Sequence, residues 1–286
     1  MHVTLRLYIR DKPRQNAQTS RPYSGPVTLA TRGILFPDRL PTFERFPAPQ
    51  TVAELVSWFW VRRWNLAPGV TSRQDVLAFP ASNLVVESPS PEYPQGRAVL
   101  AGPTTARSHR DLSGQGWAVG AHLRPAAVPL FTADPTALQD DSLIVDASEL
   151  LERVTGSMAT SPADAVAAFC EWMADRVADD QGRLANAAAD LLSHDPTVTG
   201  PEDAAARLAI SVRTLQRLTA RYVGLPPTAM IRRRRLQEAA ERVRLDSTID
   251  LATLAAELGY ADHSHLTKDF QRVLAMAPSE YRRHVQ

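Results

Sequence analysis

Cysteine and lysine are nearly absent from this chain of 286 residues. Its one cysteine, Cys170, excludes an internal disulfide and is typical of a reducing compartment. No run approaches the ~18 apolar residues of a membrane span. The first residues turn polar by Asp11, so they lack the apolar stretch of a signal peptide. We therefore expect a cytoplasmic protein with no membrane segment.

Motifs of the common enzyme classes are also absent. The sequence contains no Gly-x-Ser-x-Gly, no Walker loop and no dinucleotide-binding glycine pattern. His109 and His122 are the candidate metal ligands of the N-terminal half, but no His-x-His or glutamate-rich spacing accompanies them. His263 and His265 would point to different sides of a helix. We predict that the protein is not an enzyme and has no cofactor or bound metal.

The residue pattern changes three times along the chain. Residues 1–30 are polar and predict a disordered tail. Residues 31–146 contain short apolar runs between Pro and Gly, which indicate a small β-sandwich or barrel. Residues 147–195 have the spacing of a helical connector, and residues 196–286 are helical as well. The predicted fold is α+β, with a β-rich N-terminal domain, a connector and an all-α C-terminal domain.

Two features of the first two regions have alternative interpretations. Residues 51–59 fit either a short helix, with Thr51 and Glu54 as a capping box, or a strand that places Trp58 and Trp60 on one face. The apolar stripe of the connector suits either dimer contacts or packing onto its own barrel.

Four tryptophans lie in the β-rich region: Trp58, Trp60, Trp64 and Trp117. Aromatic rings at a barrel mouth are typical of a small-molecule site, and the candidates for an effector pocket are Trp58, Trp60 and Trp117. The alternative is that these rings fill a small core.

The last ninety residues repeat one pattern, which starts at Leu208 and again at Leu258. Each copy predicts a short amphipathic helix, a tight turn and a second helix with a polar, cationic outer face, as in a helix-turn-helix. Residues 196–286 carry a net charge of +4, and the remaining residues carry −3. The positive charge is concentrated in the repeat, as phosphate neutralisation would require.

In the first copy, Ser211 is a suitable N-cap for a helix that turns Val212, Leu215 and Leu218 toward the core. Three outward residues then form one patch on its N-terminal half, which is the half that meets base edges: Arg213, Gln216 and Arg217. Arginine suits guanine and glutamine suits adenine.

In the second copy, Gly259 fits a left-handed turn, and Asp262 is the N-cap of a helix with Leu266 and Phe270 inward. The base-reading candidates on its outer face are His263, Ser264, Thr267 and Lys268. A long helix, from about residue 227 to 245, joins the two copies. The predicted phosphate contacts are Ser211, Thr214, Arg221, Arg232, Arg234, Arg235 and Gln271.

Four motifs occur in order: Ser-x-Arg-Thr-Leu-Gln-Arg, Arg-Arg-Arg-Arg-Leu-x-x-Ala, Leu-Ala-x-x-Leu-Gly-Tyr and Pro-Ser-Glu-Tyr-Arg. In these motifs the chain resembles the AraC family of bacterial transcription regulators. The resemblance implies a DNA-binding activator or repressor that reads two successive major-groove segments of a double-stranded operator. It places base reading on the seven residues named above. Ala209, Thr219 and Ala275 depart from the residues usual in the family.

The N-terminal half is similar to the small β-rich sensory domain of some members, at residues 79–86, Gly102 and residues 119–125. RNA polymerase, a small-molecule effector and a second copy of the chain are the further partners that this implies. A different class of function is an alternative, in which the chain is a ligand- or protein-binding module and its helical half makes protein contacts only.

Overall fold

A computed structural model of the protein describes residues 42–76, 80–105 and 108–284. The predicted tail, residues 1–30, lies outside these ranges. The α+β prediction is confirmed, because β-strands occupy the first part of the described chain and α-helices the rest.

Eight β-strands occur in the described part of the chain: β1 (Thr42–Pro47), β2 (Val56–Asn65), β3 (Thr71–Val76), β4 (Asn83–Glu87), β5 (Arg97–Ala101), β6 (Ser108–Ser113), β7 (Gln115–Leu123) and β8 (Ser142–Ile144). Six of them form one antiparallel sheet in the order β1-β2-β7-β4-β5-β8, and β3 pairs with β6. The helix considered for residues 51–59 is wrong. Only a 3-10 turn forms at Gln50–Val52, because the alternating apolar residues from Val56 onward pair with strands on both sides.

Nine α-helices follow in the described chain: α1 (Ser148–Met158), α2 (Pro162–Ala174), α3 (Asp180–His194), α4 (Pro201–Arg207), α5 (Val212–Tyr222), α6 (Pro227–Leu245), α7 (Leu251–Glu257), α8 (His263–Leu274) and α9 (Pro278–His284). The helices among the described residues are all too short or too polar to cross a membrane.

The six-stranded sheet packs its inner face on α1 and α2. Phe59, Val119 and Ala121 are fully buried there, and the Phe59 ring lies 5.5 Å from that of Phe169 on α2. The apolar stripe of α1 and α2 therefore packs onto the chain's own sheet, which is one of the two interpretations of the connector.

Helix α3 belongs to a different core from α1 and α2. Its Ala185, Ala188 and Leu192 pack with α4, α5 and the first half of α6. Its buried Asn186 faces the other way: Nδ2 donates to Glu54 O at 2.8 Å, and Oδ1 accepts from Ala126 N at 3.0 Å. Helix α3 thus joins the N-terminal domain to the first helix-turn-helix unit, α4–α5.

The end of α5 also touches the N-terminal domain directly. Gln139 Nε2 donates to Gly224 O, and Thr136 Oγ1 donates to Ala220 O at 3.4 Å. Gly224 has φ +82°, and a Cβ at this position would lie 2.4 Å from Pro135 O. Only glycine fits both the left-handed backbone and this close approach. The second unit, α7–α8, forms its own core with the second half of α6 and with α9.

Candidate nucleic-acid interface

Helix α5 begins where the sequence predicts. Ser211 Oγ accepts a hydrogen bond from Thr214 N at 3.0 Å and so caps the helix. Leu215 and Leu218 are buried in the core of the first unit, and Val212 is half-buried. The inward face of α5 is therefore the predicted one.

The opposite face of α5 brings Arg213, Gln216 and Arg217 together at the protein surface. All three side chains are exposed. Within the described chain, neither Arg213 nor Arg217 forms an ion pair with an acidic residue. Two unneutralised guanidinium groups beside an amide can donate hydrogen bonds to phosphate oxygens or to base edges.

Helix α8 repeats this arrangement in the second unit. Asp262 Oδ1 accepts from His265 N at 2.7 Å and caps the helix, and Leu266 and Phe270 are fully buried. His263, Ser264 and Lys268 are exposed. Thr267 is half-buried, and its Oγ1 lies 3.4 Å from His263 Nε2. Lys268 has no acidic partner in the part of the chain that the structure describes.

The predicted phosphate contacts divide into two groups. Ser211, Arg221, Arg232 and Gln271 are exposed, and Thr214 is half-buried against Ser211 at 2.9 Å. Arg232 also lies 3.4 Å from the carboxylate of buried Asp269. The remaining two residues, Arg234 and Arg235, donate hydrogen bonds to backbone carbonyl groups of the protein itself.

Arg234 corrects a prediction. Its side chain is 3% exposed, and its guanidinium donates to the carbonyls of Leu192, Asp195 and Val198. The predicted phosphate contact at Arg234 is therefore wrong for this structure, because the group is enclosed and already hydrogen-bonded. Arg235 is half-buried and donates to Gly259 O at 3.2 Å and Thr199 O at 3.0 Å.

The four consecutive arginines, Arg232–Arg235, which we call the arginine run, contact four different parts of the molecule. Arg232 approaches α8, and Arg235 reaches the turn of the second unit. Arg233 is buried, donates to Thr104 O of the N-terminal domain, and has its pKa lowered to about 10 by that burial. Arg234 holds the end of α3. Successive residues point about 100° apart around a helix, so the run faces every direction.

Two of the departures from the family pattern lie where a helix ends. Ala209, between α4 and α5, has φ +53°, and Ala275, between α8 and α9, has φ +56°. Both values fall in the left-handed region, in which a residue with a Cβ is strained. The third departure, Thr219, is 1% exposed, and its Oγ1 donates to Gln216 O at 3.2 Å. Neither alanine prevents the turn from forming.

The three tryptophans predicted to line an effector pocket, Trp58, Trp60 and Trp117, do not all lie on one face of the sheet. Trp58 and Trp60 share the outer face of β2, and Trp60 lies against Gly120 of β7. Trp117 pairs with Arg63 on the opposite face and packs against the inner core. Its predicted place beside the other two is wrong, because side chains on a strand alternate and the register puts it an odd number of positions away.

His122 lies on the same face as Trp58, and the two rings stack 4.8 Å apart. Burial, together with the nearby charges of Arg45 and His194, lowers the pKa of His122 to about 3. The imidazole is neutral at physiological pH. Arg45 lies over the other ring of this stack, with its guanidinium carbon 4.1 Å from the centre of Trp58.

Comparisons with known proteins agree with the helical geometry. A family profile described as a helix-turn-helix domain matches residues 204–284, and a domain of unknown function, DUF6597, matches residues 44–144. An AraC-like transcription regulator of Streptomyces lividans is 37% identical over 82 residues, which cover 29% of this chain and 27% of that protein. A similar regulator of Streptomyces antibioticus is 31% identical over 122 residues, 42% of this chain and 38% of that protein.

The chain therefore matches well under half the length of these relatives. The crystal structure of ToxT from Vibrio cholerae O395 aligns with 85% of this chain and 98% of its own, at 14% identity and a TM-score of 0.40. The profile match agrees with the sequence motifs and with the two capped helices, α5 and α8, in indicating a helix-turn-helix repeat. Over residues 204–284 the chain carries the helix-turn-helix domain of the AraC type.

Proposed function

We propose that the protein is a sequence-specific DNA-binding transcription regulator whose helices α5 and α8 enter adjacent major grooves. The observation that carries this proposal is the patch of Arg213, Gln216 and Arg217. These side chains stand exposed on the N-terminal half of a capped helix, and neither arginine has an acidic partner in the described chain. A helix that served only protein contacts would not need two free guanidinium groups at the end that meets bases.

The first test is selection of bound duplexes from a random DNA pool by the full-length protein. We expect two sequence blocks about one helical turn apart, because two recognition helices read two groove segments. Recovery of no motif, with only salt-sensitive background binding, would contradict sequence-specific reading. It would favour the alternative in which the helical half makes protein contacts only.

Arg217→Ala tests the assigned base contact. We expect a loss of about 1–3 kcal/mol of binding free energy on the selected duplex and relaxed preference at one base pair, because a bidentate guanidinium contact is removed. Arg153→Ala, an exposed arginine on α1, is the matched control for loss of one positive charge and should bind normally. Equal weakening on every duplex would reassign Arg217 to a phosphate.

We further propose that the N-terminal domain senses an effector and passes its state to α5. The support is the direct docking of Gln139 and Thr136 on the end of α5, next to Gly224. A ligand that changed this docking would shift the population of DNA-competent states. The choice between activation and repression, contact with RNA polymerase and pairing with a second copy are proposals that follow from the same family assignment.

Gly224→Ala tests this coupling. The new Cβ would meet Pro135 O, so the docking must open, and we expect the affinity for the selected duplex to change severalfold. Gly69→Ala is the control, because Gly69 has nearly the same left-handed backbone, φ +79°, and nothing within 4 Å of a new Cβ. Unchanged DNA affinity in the Gly224 variant would count against coupling through this contact.

A further inference from the structure

A cavity lies where the N-terminal domain, α3 and the end of α5 meet. Ser82 and His122 line it from the first of these, Asp190 from the second, and Tyr222 and Val223 from the third. It measures about 460 Å³ when its open mouth is counted, a volume typical of small-molecule sites.

Ser82 presents a polar atom that the fold does not satisfy. The residue is 1% exposed, and its Oγ has no hydrogen-bond partner among the described residues. Buried hydroxyl groups are nearly always hydrogen-bonded, so an orphaned one indicates a missing partner such as a water or a ligand. Because Ser82 lines the cavity, that partner would occupy it.

Arg124 supplies a second donor on the cavity wall. Its Nη2 lies 2.6 Å from Oδ2 of Asp190, an acidic residue that also lines the cavity. The arginine therefore balances the charge of this carboxylate. A guanidinium carries five N–H groups, so most of them remain for a ligand after this one contact. The side chain is 26% exposed, which places it nearer the mouth than Ser82.

Cationic side chains lie near the cavity. Arg124 lines it, and Arg45 is close enough to His122 to lower the pKa of that histidine, although burial is the larger cause. The buried imidazole is neutral, so it does not repel an anion, and the arginines can attract one.

We propose that this junction cavity binds the carboxylate group of a small organic acid, with Ser82 Oγ donating inside and Arg124 donating near the mouth. Apolar walls formed by Pro80, Leu123 and Val128 accommodate the body of the acid. A bound acid bridges the three parts of the protein and strengthens their docking. The site is separate from the DNA-facing surface, so its ligand binding can be measured whether or not the proposed DNA function holds.

Ligand-observed NMR titration of the full-length protein with benzoate and benzamide tests this site, because the two molecules share size and shape and differ in charge. We expect saturable binding of benzoate and about tenfold weaker binding of benzamide. Ser82→Ala should weaken benzoate binding about fivefold, as expected for loss of one hydrogen bond. That variant removes no existing side-chain hydrogen bond, so the fold should persist. Ser279→Ala, exposed on α9, is the matched control.

Arg124→Gln provides an independent check on charge recognition. We expect benzoate and benzamide to bind this variant with similar affinity, because the cationic donor is gone. The proposal is overturned if benzoate does not bind, which would leave water as the occupant. It is also overturned if wild-type protein binds both compounds equally, or if Ser82→Ala binds benzoate as tightly as wild type does.

Discussion

Two alanines hold backbone conformations that glycine adopts more easily. Ala209 follows α4 and Ala275 follows α8, each with positive φ. The left-handed region costs a residue with a Cβ about 1 kcal/mol or more. Packing in the rest of each unit compensates for this strain. The helical domain is therefore less stable than it would be with glycine at both positions.

Replacing either alanine should therefore stabilise the protein. We expect Ala209→Gly and Ala275→Gly each to raise the free energy of unfolding by about 0.5–1 kcal/mol, because relief of strain exceeds the entropy that glycine loses. Urea unfolding followed by circular dichroism measures the change. Ala187→Gly, at an exposed position inside α3, should instead lower stability by about 1 kcal/mol. A destabilising effect at Ala209 or Ala275 would show that their Cβ contacts outweigh the strain.

The neutral buried state of His122 makes stability depend on pH. Its folded pKa, about 3, lies below the ordinary value of 6.5. The unfolded chain therefore binds a proton first, and the stabilisation present above pH 6.5 is lost as pH falls toward 3.

At pH 5 the His122 contribution should be lower by about 2 kcal/mol, since each pH unit below 6.5 is worth 1.36 kcal/mol. We expect urea unfolding at several values between pH 7 and pH 5 to show this slope. His122→Gln, which cannot titrate, should show a shallower dependence in the same range. Parallel slopes for the two proteins would contradict a neutral buried His122. Carboxylates with lowered pKa values, such as Asp195 and Asp203, act at lower pH.

At the scale of elements, β7 has no side chain where Trp60 crosses it. A Cβ on Gly120 would lie 2.2 Å from the Trp60 ring, so the glycine lets the indole lie flat on the sheet. Trp60 Nε1 then donates to Asn83 Oδ1 at 3.1 Å on the next strand but one. The Trp60 side chain therefore links three neighbouring strands, β2, β7 and β4, on the outer face of the sheet.

Gly120→Ala should displace the indole and lower the free energy of unfolding by about 1–3 kcal/mol through overpacking. Near-ultraviolet circular dichroism and urea unfolding report the two effects. Gly156→Ala, on the exposed side of α1 with nothing within 4 Å of the new Cβ, should stabilise by about 0.5–1 kcal/mol. Equal behaviour of the two variants would remove the special role of Gly120.

The elements were largely predictable where a periodic pattern met a capping residue. Ser211, Gly259 and Asp262 each marked a helix end that the structure shows. Residues 51–59 were ambiguous, because a capping-box pattern and an alternating strand pattern overlap there, and pairing with two neighbouring strands decided the outcome. The face of Trp117 depended on the register between β2 and β7, which no local pattern encodes.

At the scale of the whole molecule, the arginine run connects parts that the sequence describes separately. A cluster of cations predicts solvent or phosphate contact, and for Arg232 the exposed side chain agrees with that expectation. The internal partners of Arg233 and Arg234 are carbonyl oxygens, and every residue type supplies a carbonyl. Sequence reasoning therefore had no signal for them. The exposed patch on α5, in contrast, followed from helical periodicity alone.

Arg234→Met tests this internal role. We expect the free energy of unfolding to fall by about 3 kcal/mol or more, because three buried carbonyls lose a charged donor. Urea unfolding gives the difference, with Arg221→Met as the exposed control, expected within about 0.5 kcal/mol of wild type. A mild effect of Arg234→Met would mean that water replaces the guanidinium.

The arginine run also limits which changes of length the gene for this protein can tolerate. Inserting or deleting one residue early in α6 would turn the run by about 100° and give each arginine its neighbour's surroundings. Such a change would disturb α3, the N-terminal domain and the second unit together. Asp246 and Thr248, which follow α6, are exposed and bond to each other, so a change of length between them leaves the arginine run in place. Natural variants should therefore differ in length there and keep the first turns of α6 unchanged.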